Sequence, residues 1–256
     1  MITIVKIGGN IINNSEKLDS FLSDFSKLND KKILVHGGGR EATELSNKLG
    51  IETKMINGRR ITDLDTLEIV TMVYAGLINK RIVSKLQDFD CNAIGLTGAD
   101  GHIIPAKRRP PIPVDFGYVG DIDPSDINLK LVSLLLNNHL SPVFCAICHE
   151  SKGHLLNCNA DSVASALAVA CASLDSVRLI YCFEKMGVLS DPDDNMSYIP
   201  LITQNSFTSL VENKVISGGM IPKVTNALNA IKQGVDEVRI CDASNLLNNI
   251  GTSVKA

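Results

Sequence analysis

The sequence predicts an α/β protein: a mostly parallel central sheet sandwiched by helices, arranged in two lobes. Short apolar strands alternate with amphipathic helical stretches along the whole chain, the signature of a sheet covered by helices. The first two strands each run straight into a glycine-rich turn and then a helix, as ligand-binding α/β sheets do. With 256 residues, 45% of them apolar, the chain is long enough to bury a sizeable core.

The elements follow in order. Ile2–Ile7 reads as a strand ending in Gly8-Gly9-Asn10, and Leu18, Phe21, Leu22, Phe25 and Leu28 mark a helix by their spacings of three and four. Ile33–His36 is the second strand, running into Gly37-Gly38-Gly39, with a helix expected over Glu41–Leu49. A long helix is expected over Asp65–Phe89, striped by Ile69, Met72, Val73, Leu77, Ile78, Ile82 and Leu86. Further strands are expected near Ala93–Leu96, Pro142–Ile147, Val177–Cys182 and Val238–Cys241. The proline-rich stretch from His102 to Asp121 reads as a hairpin or flap hung on the sheet. A lobe boundary is placed at Ser173–Asp175, where the helix Asp161–Ala172 gives way to a new strand.

Composition excludes several classes. A formal charge of −3 offers no general pull toward nucleic acid or an anionic membrane, and the only basic run, Lys107-Arg108-Arg109, reads as a solvated loop. No apolar run reaches bilayer-spanning length and the chain enters a strand at Ile2, so no membrane association and a cytoplasmic location are expected. The seven cysteines, Cys91, Cys145, Cys148, Cys158, Cys171, Cys182 and Cys241, read as reduced core thiols. Cys145 and Cys148 form a C-x-x-C, but no second ligand pair follows, and strand alternation would send the two thiols to opposite faces. No metal site is expected.

The chemistry lies in the turns. Consecutive glycines let backbone N–H groups converge on an anion at the positive end of a helix, so Gly8-Gly9 and Gly37-Gly38 are candidate phosphate cradles. Neither turn matches G-x-x-x-x-G-K-[ST] or G-x-G-x-x-G. Lys6, on an otherwise apolar strand, either reaches a phosphate at the first turn or is an edge lysine facing water. Asn57-Gly58-Arg59-Arg60-Ile61-Thr62 offers a guanidinium suited to a carboxylate. Asp161, in Asn157-Cys158-Asn159-Ala160-Asp161, is either a helix-terminus partner or a functional acid. Ser217-Gly218-Gly219-Met220-Ile221-Pro222-Lys223 places a second lysine just inside a proline-opened helix.

Taken together and in this order, K-x-G-G, V-H-G-G-G, N-G-x-R-[IV]-T, N-x-N-A-D, G-[VI]-L, G-M-I-P-K-V and Gly251-Thr252 resemble the amino acid kinase family, and within it the members acting on N-acylated glutamate. The resemblance runs from Ile2 to Val254. It implies phosphorylation of the γ-carboxylate of N-acetyl-L-glutamate, a step of arginine biosynthesis, with ATP and Mg2+. It implies Lys6 and Lys223 as catalytic cations held by Asp161, and Gly37, Gly38, Arg60 and Asn157 as substrate-binding residues. Gly8, Gly9, Glu184, Gly187, Leu189, Val215, Ile216 and Ser217 would hold the nucleotide, with magnesium carried by the phosphates. Residues 1–174 would form the substrate-binding and dimerisation lobe and residues 175–256 the nucleotide lobe. Phe183-Glu184-Lys185-Met186-Gly187-Val188-Leu189 departs from the family pattern, with Glu184 in an aspartate position.

Alternatives remain within the fold: a succinyl in place of the acetyl group, for which Lys107, Arg108 and Arg109 supply charge; aspartate, free glutamate or uridine monophosphate as acceptor; or a non-catalytic amino-acid-binding regulator. Larger, arginine-inhibited rings of the family carry an extra helix ahead of the first strand, where this sequence has only Met1. A two-fold homodimer insensitive to arginine is therefore expected.

Overall fold

The computed structural model describes residues 1–256 apart from Asn57, Ser217, Gly219 and Ala256. Its strands are β1 (Ile2–Ile7), β2 (Lys31–His36), β3 (Ala93–Leu96), β4 (Ser141–Cys145), β5 (Val177–Phe183), β6 (Leu201–Ile202), β7 (Glu237–Asp242) and β8 (Thr252–Val254). Together they form one sheet in the order β6-β8-β7-β5-β1-β2-β4-β3. Only the β7–β8 pairing is antiparallel. The central strand β1 has β2 on one side and β5 on the other, so successive excursions of the chain leave it in opposite directions. That reversal opens a crevice at the carboxyl ends of the strands.

The helices are α1 (Gly9–Ile12), α2 (Ser15–Ser26), α3 (Gly39–Lys48), α4 (Leu64–Thr71), α5 (Asn79–Asp88), α6 (Leu129–Asn137), α7 (Ala160–Cys171), α8 (Gln204–Glu212) and α9 (Met220–Lys232). Alternation along β1 divides them between two cores. Ile2 and Ile4 pack with α6, α7, α8 and α9, whereas Val5 and Ile7 pack with α2, α4 and α5. The alanine-rich α7 has small side chains that let it lie close across β1, β2 and β5. All seven cysteines are free and buried, with Cys145 and Cys148 in opposite cores as alternation requires.

Three expectations need correction. The strand expected over Pro142–Ile147 breaks at Ala146: β4 ends at Cys145, and Ile147–His149 pairs instead with Leu155–Asn157 in a separate hairpin. The second helix starts at Gly39, two residues early, because the glycine turn feeds directly into it. The long helix expected over Asp65–Phe89 spans Leu64–Asp88, but Met72–Ile78 is π-helical. A π turn re-phases everything after it, so Met72 and Leu77 of the expected apolar stripe face outward. The flap is a hairpin in which Lys107–Arg108 pairs with Gly120–Asp121.

Candidate active site

Lys6 lies near the carboxyl end of β1, on the face that α7 covers, with its side chain only 10% exposed. A buried ammonium requires compensation. Asp161 supplies it: the Lys6 Nζ–Asp161 Oδ1 separation is 2.6 Å. The contact is an ion pair with angles outside hydrogen-bond geometry, because Oδ1 is buried with no hydrogen-bond partner among the described residues. Asp161 does not cap α7. Asn159 does, accepting from the N–H groups of Asp161 and Ser162, which leaves the Asp161 carboxylate free to face the sheet. Tyr181 of β5 donates its hydroxyl to the Asp161 carbonyl at 3.3 Å.

Lys223, in the first turn of α9, approaches from the opposite side. Its Nζ stands 3.8 Å from the ring centroid of Phe183, and Lys6 Nζ lies 5.2 Å from the same centroid. One aromatic ring at the end of β5 thus supports two ammonium groups. Burial and the Lys6 charge push the Lys223 ammonium below the usual lysine range, while Asp161 opposes them. Asn226, one turn further along α9, borders the same space.

Two cavities meet at this charged pair. One, of about 330 Å³, is lined by Gly8, Gly9, Asn10, Phe183, Glu184, Lys185, Gly187, Met220 and Lys223. Gly187 is held by the chain's last strand: a Cβ there would lie 2.6 Å from Thr252 Oγ1, which accepts the Val188 N–H. The second, of about 220 Å³, is lined by Gly37, Gly38, Gly39, Arg60, Tyr74, Arg109, Asn157 and neighbours. Arg60 is buried there and donates only to neutral oxygens: Gly39 O at 2.9 Å, Thr43 Oγ1 at 2.8 Å and Thr53 Oγ1 at 3.0 Å. No carboxylate pairs with it among the described residues, so an anion entering the cavity finds an uncompensated guanidinium. Asn157 is fixed by its amide donating to Thr62 Oγ1 at 3.0 Å.

A larger groove of about 470 Å³ lies between α2, α3 and α5. Its charges already satisfy one another, Arg81 with Glu41 and Arg40 with Glu44. No group of three His, Cys, Asp or Glu side chains placed to hold a metal ion occurs among the described residues.

The residues singled out in the sequence mostly converge. Lys6, Asp161 and Lys223 meet; Gly8, Gly9, Glu184 and Gly187 line one cavity; Gly37, Gly38, Arg60 and Asn157 line the other. Leu189, Val215 and Ile216 are not among the lining residues: Leu189 bridges Tyr198, and Ile216 is packed in the core. Ser217 lies outside the described residues. Sequence reasoning assigned no role to Phe183 or Tyr181, although the alternation Tyr181-Cys182-Phe183 at a strand's end already placed both aromatic rings on one face.

A family model for the amino acid kinase family matches residues 1–242. The chain is 49% identical over 254 residues to an acetylglutamate kinase of Phocaeicola vulgatus, covering 99% of this chain and 98% of that one. It is 51% identical to an acetylglutamate kinase of Cytophaga hutchinsonii, covering 95% and 92%. Among solved structures, one from Streptococcus mutans superposes with a TM-score of 0.82 at 29% identity, covering 100% of this chain and 98% of that one. Carbamate kinase from Giardia lamblia bound to AMP-PNP gives 0.69 at 16% identity, covering 100% and 98%, a likeness of fold alone.

Proposed function

The chain belongs to the amino acid kinase family, and we propose that it catalyses the ATP-dependent phosphorylation of the γ-carboxylate of N-acetyl-L-glutamate, a step of arginine biosynthesis. The observation that carries this reading is the Lys6–Asp161–Lys223 cluster standing where a glycine-turn cavity meets a cavity holding an unpaired buried arginine.

Phosphoryl transfer asks a protein for alignment and charge neutralisation more than for covalent chemistry. The acceptor carboxylate is already ionised at neutral pH, so no base is needed and Asp161 serves to hold the ammonium groups. Arg60 takes the α-carboxylate and Asn157 the acyl amide, leaving the γ-carboxylate at the Gly37-Gly38 turn. Lys6 and Lys223 flank the transferring group and neutralise the charge that develops on it. Gly8 and Gly9 offer backbone N–H groups to the nucleotide's phosphates at the start of α1, while Glu184 and Gly187 border its cavity. The orphaned Asp161 Oδ1 and the two flanking ammonium groups fit a polyanionic co-substrate. Magnesium bound to that co-substrate's phosphates supplies further charge neutralisation.

Residues 1–174 act in this reading as the acceptor lobe and residues 175–256 as the nucleotide lobe. No helix of the described residues is long and apolar enough to cross a membrane, and we place the enzyme in the cytoplasm. The exposed side chains of Leu64, Met72 and Leu77 on α4 and the π segment support a homodimer built on that face. A second acyl group is supported by one observation: Arg109, stacked near Phe116 and paired with Asp121, reaches the wall of the acceptor cavity, where a succinyl carboxylate would meet it. A coupled ADP-release assay with N-acetyl-L-glutamate, ATP and magnesium tests the proposal, and the N-succinyl compound in parallel separates the two acyl groups. Turnover with neither compound would overturn it.

A further inference from the structure

His36 closes β2 immediately before the Gly37–Gly39 turn, and its ring is fully buried. Its Nδ1 lies 2.7 Å from the Gly37 carbonyl oxygen and its Nε2 lies 3.1 Å from Asn79 Nδ2. The Asn79 carboxamide has one possible orientation. Its Nδ2 also donates to the Val143 carbonyl at 2.9 Å, and its Oδ1 accepts from Lys80 Nζ at 3.1 Å. Reversing the amide would set an oxygen against a carbonyl and an NH2 group against an ammonium. With both Nδ2 hydrogens committed, the Nε2 atom of His36 must accept, so the proton sits on Nδ1 and is donated to Gly37 O.

A trans peptide points its C=O and N–H in opposite directions. Anchoring Gly37 O behind the turn therefore directs the Gly38 N–H away from the imidazole, on the side of the acceptor cavity that Gly37 and Gly38 line. Among the described residues the Gly38 N–H has no protein acceptor. The π segment Met72–Ile78 makes the arrangement possible. It turns Asn79 inward, 1% exposed, and brings Tyr74 and Ile78 so close over Gly38 that a Cβ there would lie 2.7 Å from Tyr74 Cδ1 and closer still to Ile78 Cδ1.

We propose that Asn79 and His36 form a positioning relay that aims the Gly38 N–H at the acceptor carboxylate. Asn79 sets the tautomer, His36 anchors one peptide plane, and the oriented donor meets the oxygen that attacks. Neither side chain touches substrate. The role given to the turn rests on the function proposed above, whereas the tautomer does not.

Two measurements test it. Nitrogen NMR of histidine-labelled protein is expected to show His36 as the Nδ1–H tautomer, and Asn79→Leu is expected to disturb it. An Nε2–H ring in the unsubstituted protein would overturn the relay whatever the protein's activity. In the kinase assay, His36→Asn keeps an amide N–H where Nδ1 stood, whereas His36→Gln moves it to the Nε2 position. Displacing an aimed donor lowers turnover by roughly tenfold or more. His36→Gln and Asn79→Leu are expected to show that loss in kcat with the KM for ATP unchanged, while His36→Asn stays near the parent. Equal kcat per folded molecule in His36→Asn and His36→Gln would reduce the pair to a packing role and overturn the proposal. If the parent protein itself lacks activity on acylated glutamates, the functional reading falls, and the NMR result still decides the relay.

Discussion

Acid should destabilise this protein through one residue in particular. Burial, reinforced by the Lys80 charge, lowers the His36 imidazole to about 4. Its ordinary value when unfolded is about 6.5. Between those values the unfolded chain binds a proton that the folded chain refuses, so stability falls as the pH falls. The contribution is fully present above the unfolded value and is lost on the way down to the folded one. A shift of about 2.5 units corresponds to about 3 kcal/mol, of which about 2 kcal/mol is lost between roughly pH 7 and pH 5. Urea unfolding at both pH values, in the parent and in His36→Asn, measures it. The parent should lose about 2 kcal/mol more than the variant, which has no imidazole to protonate. Equal losses in the two proteins would refute the reasoning, since every other titrating group is common to both.

Three further outcomes follow from the site. Lys6→Ala and Lys223→Ala should each lower kcat by roughly a hundredfold or more while the protein stays folded, as circular dichroism beside the kinase assay would register. Full turnover in either variant would remove that lysine from the mechanism. Arg60→Ala should mainly raise the KM for the acylated amino acid, because the buried guanidinium binds a group that does not react; an unchanged KM would cancel the carboxylate role. Static light scattering should give a mass near twice 27.6 kDa, and Met72→Glu with Leu77→Glu should shift it to the monomer.

Much of this architecture was legible in the residues because periodicity is a local property. The strands at Ile2–Ile7 and Val177–Phe183, the two glycine turns and the helix carrying Asp161 are each written in a few consecutive positions. Physics limited the rest. A π turn adds one residue to a helix without changing its composition, so nothing in Met72–Ile78 signals that Leu77 turns outward and Asn79 inward. Asp161 could be read as a cap because its helix position suits one; only the fold shows Asn159 taking that place and Lys6 arriving across more than 150 residues of chain. The break at Ala146 is set by a partner strand beginning at Leu155, a pairing that no pattern within Pro142–Ile147 encodes. Leu189, Val215 and Ile216 were assigned by resemblance alone, and their packing reflects the local core instead.

Placement of the seven thiols has a practical side. Every one is buried, and Cys158 alone borders the acceptor cavity. The native exterior is therefore nearly inert to maleimide dyes. A single cysteine introduced at Ile112, which is 83% exposed on the flap, would take a fluorophore selectively. Opening and closing of the flap during turnover then becomes visible to single-molecule spectroscopy without first removing any natural cysteine.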